Sequence, residues 1–269
     1  MIPFVLIWGG GDLASGVAIR LHRVGIRVLI AETPQPMAVR RTVAFAQAVY
    51  DGKITIEDIR GQLIDSPDEM QACWAAGVMP VLVDPELNLM RGHPQLVLVD
   101  ARMKKVNTVI PLGRAELVIG LGPGFTVAEN CHTAVETNRG HFLGRVYWKG
   151  STQNDTGIPG KVADFAAERV FHAPVDGQVK ACVTIGDWIE QGDLIMTIGD
   201  HQIRAPFSGL VRGLIHSGLF VVAGTKVGDI DPRPETFRCW TISEKSLAIG
   251  GGVLEAILTR PDIRNKLWG

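Results

Sequence analysis

An apolar run, Phe4-Val-Leu-Ile-Trp8, ends on three consecutive glycines, Gly9–Gly11, and an amphipathic stretch from Val17 to Val24 follows. That order dictates strand, tight turn, helix, because the run has strand length and the stretch behind it has helical spacing. Gly25 closes the helix, Ile26–Ala31 reads as a second strand, and Glu32 stands at its carboxyl end. Strands joined through a helix pair in parallel, so the opening residues commit this part of the chain to a sheet with helical crossovers.

The alternation continues. Arg40–Tyr50 reads as a helix, and Lys53–Ile59 alternates at period two. Ser66-Pro67-Asp68-Glu69 is a helix start with cap, N1 proline and acidic first turn, carrying a helix over Met70–Ala76. Three buried-type runs follow, Val78–Asp84, Leu96–Asp100 and Leu117–Gly120, each ending in Asp or Gly. Central parallel strands look like this, with their carboxyl ends lining a crevice. The expected fold class is α/β, with a Rossmann-like parallel sheet over residues 1–165.

Gly9-x-Gly11-x-x-Ala14 matches the G-x-G-x-x-G/A dinucleotide fingerprint, and Glu32 lies 21 positions after Gly11, where an acid meets a ribose hydroxyl. A backbone without Cβ lets a pyrophosphate approach helix N–H groups, and the helix dipole favours the anion. Gly9, Gly10, Gly11, Asp12, Ala14 and Glu32 are therefore candidate cofactor-binding residues, with an NAD-like ligand preferred to an NADP-like one. The other reading of these glycines is a tight turn alone. Asp100, Arg102 and the second glycine loop, Gly120-Leu-Gly122-Pro-Gly124-Phe125, join the list at neighbouring strand ends. For that loop, phosphate donor and simple Pro-Gly turn stay equally open. In the following polar cluster, His132 and Glu136 are candidates to move a proton and Arg139 to clamp an acid, and the other reading of the cluster is a solvated surface turn. Cys131 and His132 are adjacent and His141 follows nine positions later, so no metal-ligand spacing exists and no metal is expected.

From about residue 171 helical periodicity stops and the chain repeats. Ala173-Pro-Val-Asp-Gly177-Gln-Val179 aligns with Ala205-Pro-Phe-Ser-Gly209-Leu-Val211 at an offset of 32, and the same offset relates Gly186 to Gly218 and Gly192 to Gly224. Glycine stands at 31 of 269 residues, well above the usual frequency of about 7%. The excess falls in the two loops, in the duplicated β module over 166–232, and at Gly250–Gly252, which read as a turn leading into a helix of the C-terminal segment 233–269. That segment is expected to pack back on the first domain.

With 27 basic and 28 acidic residues the chain has no electrostatic footprint for nucleic acid or an anionic membrane surface. The N-terminal apolar run is too short for a signal peptide or a membrane span, so the expected location is cytoplasmic. The four cysteines form no C-x-x-C pair.

Ile7–Gly16, Gly120–Phe125, Glu136–His141, Thr156–Gly160, the Ala-Pro repeats and Gly251–Glu255 together resemble the YqeB-like family, named as part of the selenium-dependent molybdenum hydroxylase system. The N-terminal half is similar to the Rossmann-like domain of accessory proteins that mature xanthine and carbon monoxide dehydrogenases. Residues 171–231 resemble the biotinyl/lipoyl-type barrel-sandwich hybrid, although the joining segment Ile198–Ile203 has no lysine to carry a swinging arm. The resemblance implies an accessory role in supplying such a hydroxylase with its finished cofactor. The expected ligand is a molybdopterin-type cofactor or an NAD-like nucleotide. The expected partners are this phosphate-bearing ligand and a molybdenum hydroxylase, and homo-oligomerisation stays open. Two alternatives stand beside this: an NAD-dependent oxidoreductase with His132 as proton donor, and a non-catalytic scaffold that docks a partner enzyme through the β module.

Overall fold

The computed structural model describes residues 2–93, 95–104, 111–155 and 167–268. The chain divides into two compact units. The first comprises Met1–Pro36, Ala44–Thr156 and Ile242–Gly269, and the second Met37–Val43 and Gly157–Thr241. The boundary expected at 165 and the Thr156–Gly160 motif lie outside the described residues.

The first unit is built on nine strands: β1 (Val5–Trp8), β2 (Val28–Glu32), β3 (Lys53–Ile56), β4 (Ile59–Ile64), β5 (Met79–Val83), β6 (Val97–Asp100), β7 (Leu117–Leu121), β8 (Thr133–Val135) and β9 (Val146–Tyr147). Their spatial order is β3-β4-β5-β2-β1-β6-β7-β8-β9. From β4 to β8 every pairing is parallel. Val5–Ile7, Val28–Ala31, Val97–Val99 and Leu117–Ile119 are buried, which explains their unbroken apolar runs.

The expected α/β fold, a Rossmann-like parallel sheet followed by a barrel-sandwich hybrid and one C-terminal helix, is corrected. The nine-stranded sheet is mixed, because antiparallel hairpins close both edges, β3 on β4 and β9 on β8. Among the described residues the rest of the sheet architecture is two antiparallel four-stranded sheets, and helices are few. Lys53–Ile59, read as one strand, is two strands folded at Glu57-Asp58, where Glu57 takes a left-handed φ of 54°. Arg40–Tyr50, read as one helix, consists of short 3-10 turns at Arg41–Val43 and Phe45–Gln47 and a single turn α2 (Ala48–Asp51).

The longer helices are α1 (Asp12–Arg23), between β1 and β2, and α3 (Met70–Ala75), entered through the expected Ser66 cap and Pro67, with Glu69 completing a capping box; α4 (Phe237–Trp240) is one turn, and α5 (Glu244–Leu258) and α6 (Pro261–Trp268) close the chain. Gly250–Gly252 lie inside α5, which Ser243 caps, and do not form a turn before it. Gly250 and Gly252 serve packing, and Gly251 does not: a Cβ on Gly250 would sit 2.7 Å from the Gly16 carbonyl oxygen, and one on Gly16 2.5 Å from that of Ser246. Small residues therefore let α5 lie directly on α1.

The second unit holds β10 (Val170–His172), β11 (Gly177–Ala181), β12 (Trp188–Ile189), β13 (Leu194–Ile198), β14 (His201–Arg204), β15 (Gly209–Leu214), β16 (Phe220–Val221) and β17 (Lys226–Asp231). Its sheets run β10-β17-β15-β12 and β14-β13-β11-β16. The 32-residue offset carries β10–β13 onto β14–β17, so each copy of the repeat gives two strands to each sheet. The copies are interleaved and do not stand side by side.

Met37–Val43 completes this unit. The Leu214 N–H donates to the Val39 carbonyl at 2.8 Å, and the Arg40 guanidinium donates to the carbonyls of Arg238 and Thr241 at 3.0 and 3.2 Å. Within the unit, buried Asp229 pairs with Arg169 at 2.8 Å and Arg212 at 3.2 Å, and Asp231 pairs with Arg233 at 2.7 Å. Burial works against the Asp231 charge, but the side-chain and backbone hydrogen bonds from Arg233, together with the Arg233 and Arg212 charges, outweigh it and hold the carboxyl below the usual range.

Candidate functional site

The order of the parallel strands reverses at β1, which has β2 on one side and β6 on the other. In open sheets the crevice beyond the carboxyl ends at such a reversal is the usual ligand position. The chain leaves β1 there through Gly9–Gly11. Gly9 adopts φ +101°, and a Cβ on it would meet the Ala101 and Arg102 backbone at 3.2 Å. Gly10 lies under Ala44–Gln47: its carbonyl accepts the Ala46 N–H at 2.9 Å and the Ser15 hydroxyl at 3.3 Å. Ser15 Oγ in turn accepts the Phe45 N–H at 2.9 Å. Gly11 differs. It is the N-cap of α1, has an ordinary φ of −68°, and no described atom lies within 4 Å of where its Cβ would stand.

Ala14 is buried in α1. Asp12 opens that helix, and its Oδ1 accepts the Ser246 hydroxyl at 2.8 Å, which ties it to α5. Glu32 turns onto the loop. Its Oε2 accepts the Gly10 N–H at 2.6 Å and its Oε1 the Thr33 N–H at 2.7 Å, so a carboxylate already rests on the glycine loop. Burial, and after it the Glu32 charge, pushes the nearby Tyr50 phenol up.

On the β6 side Asp100 is buried and receives the Arg102 fork, Nε at 3.0 Å and Nη2 at 2.6 Å. The guanidinium lies 3.3 Å from the centre of the Trp8 ring. Trp8 donates its indole N–H to the Pro85 carbonyl at 3.0 Å. The result is an oriented cation beside the glycine loop, since a bidentate carboxylate and an aromatic face restrict the guanidinium together. The carboxyl edge of the sheet thus has a carboxylate on its β2 side and an arginine on its β6 side.

The second glycine loop is filled by the protein itself. A Cβ on Gly120 would fall 2.1 Å from the Phe125 ring, and one on Gly122 2.2 Å from Thr137 Oγ1. Gly122 donates its N–H to Val135 at 2.9 Å and accepts the Thr152 hydroxyl at 2.5 Å; the Gly124 carbonyl accepts Asn130 Nδ2 at 2.9 Å. Of the two readings left open by the sequence, these contacts match the packed turn.

Glu136 is fully buried at the end of β8. Its Oε1 accepts the Thr137 and Asn138 N–H groups at 2.8 and 2.7 Å, and its Oε2 that of Gln153 at 2.8 Å. It pins two loops together. Arg139 pairs with Glu244 in the first turn of α5. His132 stands at the other edge of the sheet, four residues before Glu136 and about 13 Å along the strand. There its Nδ1 accepts the Val118 N–H at 2.9 Å, which sets the tautomer with the proton on Nε2. Burial, then the Arg260 charge, lowers its pKa. Cys131 is inaccessible, and burial pushes its thiol up to about 12, so it is no thiolate nucleophile at neutral pH.

The structure therefore brings Gly9–Gly11, Asp12, Glu32, Asp100 and Arg102 to one edge. It leaves Gly120, Gly122, Gly124, Glu136 and Arg139 in protein contacts at β7–β8 and sets His132 apart. Sequence reasoning missed Trp8 and Ala46. The only signal for Trp8 was a bulky aromatic as the last residue before the glycine turn. Among the described residues no cluster of three or more His, Cys, Asp or Glu could hold a metal ion. No described helix is long and apolar enough to cross a membrane.

No family model matches the chain. It is 46% identical over 254 residues to the uncharacterized protein YqeB of Escherichia coli (strain K12), an alignment covering 94% of this chain and 47% of that protein. The chain thus spans about half the length of the curated relative it matches. Among solved structures it is similar to a succinylglutamate desuccinylase from Silicibacter sp. TM1040, at 13% identity over 85% of this chain and 84% of that one, with a TM-score of 0.25. It is likewise similar to an aspartoacylase family protein from Mesorhizobium loti, at 13% identity over 86% and 85% of the two chains, with a TM-score of 0.26.

Proposed function

We propose that the chain binds a phosphate-bearing cofactor or nucleotide at the carboxyl edge of the nine-stranded sheet and serves in the cytoplasm as an accessory factor for a selenium-dependent molybdenum hydroxylase. The observation that carries the binding half is Gly11: an uncapped helix start at the strand-order reversal, with no described atom where a side chain would be. A phosphate group fits that position, because N-terminal amides and the dipole of α1 both favour an anion. Arg102, oriented by Asp100 and Trp8, meets a second anionic group of the same ligand. The accessory role rests on the motifs shared with the YqeB-like family, and a molybdopterin-type cofactor or an NAD-like nucleotide is the ligand class that fits both halves.

The geometry favours binding over hydride transfer. Both Glu136 oxygens are spent on backbone N–H groups, and His132 belongs to the opposite edge, so neither stands ready to pass a proton in the crevice. Mass spectrometry of small molecules released on denaturing the purified protein, with calorimetric titration of pyrophosphate and NAD, tests the proposal. A released pterin phosphate or nucleotide, or saturable binding of either probe, is expected. An empty protein that binds neither would overturn it.

A further inference from the structure

Resting on that reading of the loop, we propose that Glu32 is a built-in competitor that admits phosphate groups of two or more charges and turns away carboxylates. The Glu32 oxygens hold the Gly10 and Thr33 amides at 2.6 and 2.7 Å. The residue that carries them is fixed. Ala31 is in register with Trp8 of β1 and Leu82 of β5, and the Glu32 carbonyl accepts the Asp84 N–H at 3.0 Å. Such a tethered group acts at an effective concentration on the order of millimolar or above.

A free carboxylate arriving at Gly10 would exchange like for like and leave the tethered one beside it, unpaired and repelling. A phosphate ester or pyrophosphate brings more charge. It also brings enough oxygens to take the Gly10 and Gly11 amides and the Arg102 guanidinium together, so it alone displaces Glu32 at a net gain. An acid placed only to accept a ligand hydroxyl would make the opposite contribution, since removing it would weaken binding.

Calorimetry of the full chain with pyrophosphate and with succinate, as wild type and Glu32→Gln, separates the two. The expected result is wild-type binding of pyrophosphate at least tenfold tighter than succinate. In Glu32→Gln, pyrophosphate should tighten several-fold and the gap to succinate should narrow. Glu32→Ala, which leaves no side-chain polar group to satisfy, gives the same readout should Glu32→Gln fail to fold. Unchanged or weaker pyrophosphate binding in the variant, with binding by wild type intact, overturns the role of Glu32 and leaves the phosphate site standing. Absence of pyrophosphate binding in both proteins overturns the phosphate site and this role with it.

Discussion

His132, Cys131 and Glu136 are of the side-chain types that reaction centres use, and each is held by its own surroundings. A carboxylate with three backbone donors, a thiol at zero exposure and an imidazole accepting a strand N–H are all positions in which chemistry is traded for order. His132 makes this measurable. Its folded-state pKa is lowered, chiefly by burial, so the neutral ring contributes stability above the unfolded value of about 6.5. That contribution disappears as pH falls through the lower, folded value. The His132 ring is expected to titrate by NMR with a midpoint below 6.5; a midpoint at or above it would contradict the burial of the ring. A sequence cannot distinguish a histidine that accepts from a strand backbone from one that faces a ligand, because both occur beside a β-strand.

At the scale of elements, β1, the glycine loop, α1 and β2 were legible because apolar runs and helical spacing change abruptly at glycine. Three things were not. The Glu57-Asp58 reversal breaks a period-two pattern without Gly or Pro, and residues 41–51 have helix-compatible spacing but are divided between two units. Gly250–Gly252 imitate a turn, while Gly250 and Gly252 provide contact surface. Gly16 of α1 faces the same contact between the two helices, and Gly251 of α5 does not. In Gly16→Ala the added methyl would lie 2.5 Å from the Ser246 carbonyl oxygen, a clash costing about 1–3 kcal/mol, against roughly 1 kcal/mol gained in helix propensity. In Gly251→Ala no described atom lies within 4 Å and only the propensity gain remains. Thermal unfolding should therefore show Gly16→Ala lowered by several degrees and Gly251→Ala level or raised. Equal behaviour of the two would refute the close packing of α1 on α5.

For the whole molecule, the 32-residue repeat was plain in the sequence, but its consequence was not. Matching segments were visible, while the exchange of strands between sheets depends on pairing across the repeat, which similarity between the copies does not encode. Met37–Val43 was equally hidden, since nothing in so short a segment, apolar residues interrupted by Arg40-Arg41-Thr42, says which core it completes. Spacing in the first glycine loop and the ends of the apolar runs placed Gly9, Gly11, Glu32 and Asp100 at one edge of the sheet, and their contacts there divide in a way that only geometry reveals. Gly9 and Gly10 make room for the protein's own backbone, whereas no described atom lies within 4 Å of where a Gly11 Cβ would stand, the position proposed for a phosphate. Gly11→Asp tests this directly, because aspartate is a favoured N-cap at the extended backbone angles found there and adds a negative charge where a phosphate would lie. Calorimetry of this variant with pyrophosphate, alongside its melting temperature, is predicted to show unchanged or raised stability and binding weakened at least tenfold. Wild-type affinity in a stably folded Gly11→Asp protein would contradict the phosphate site at the carboxyl edge.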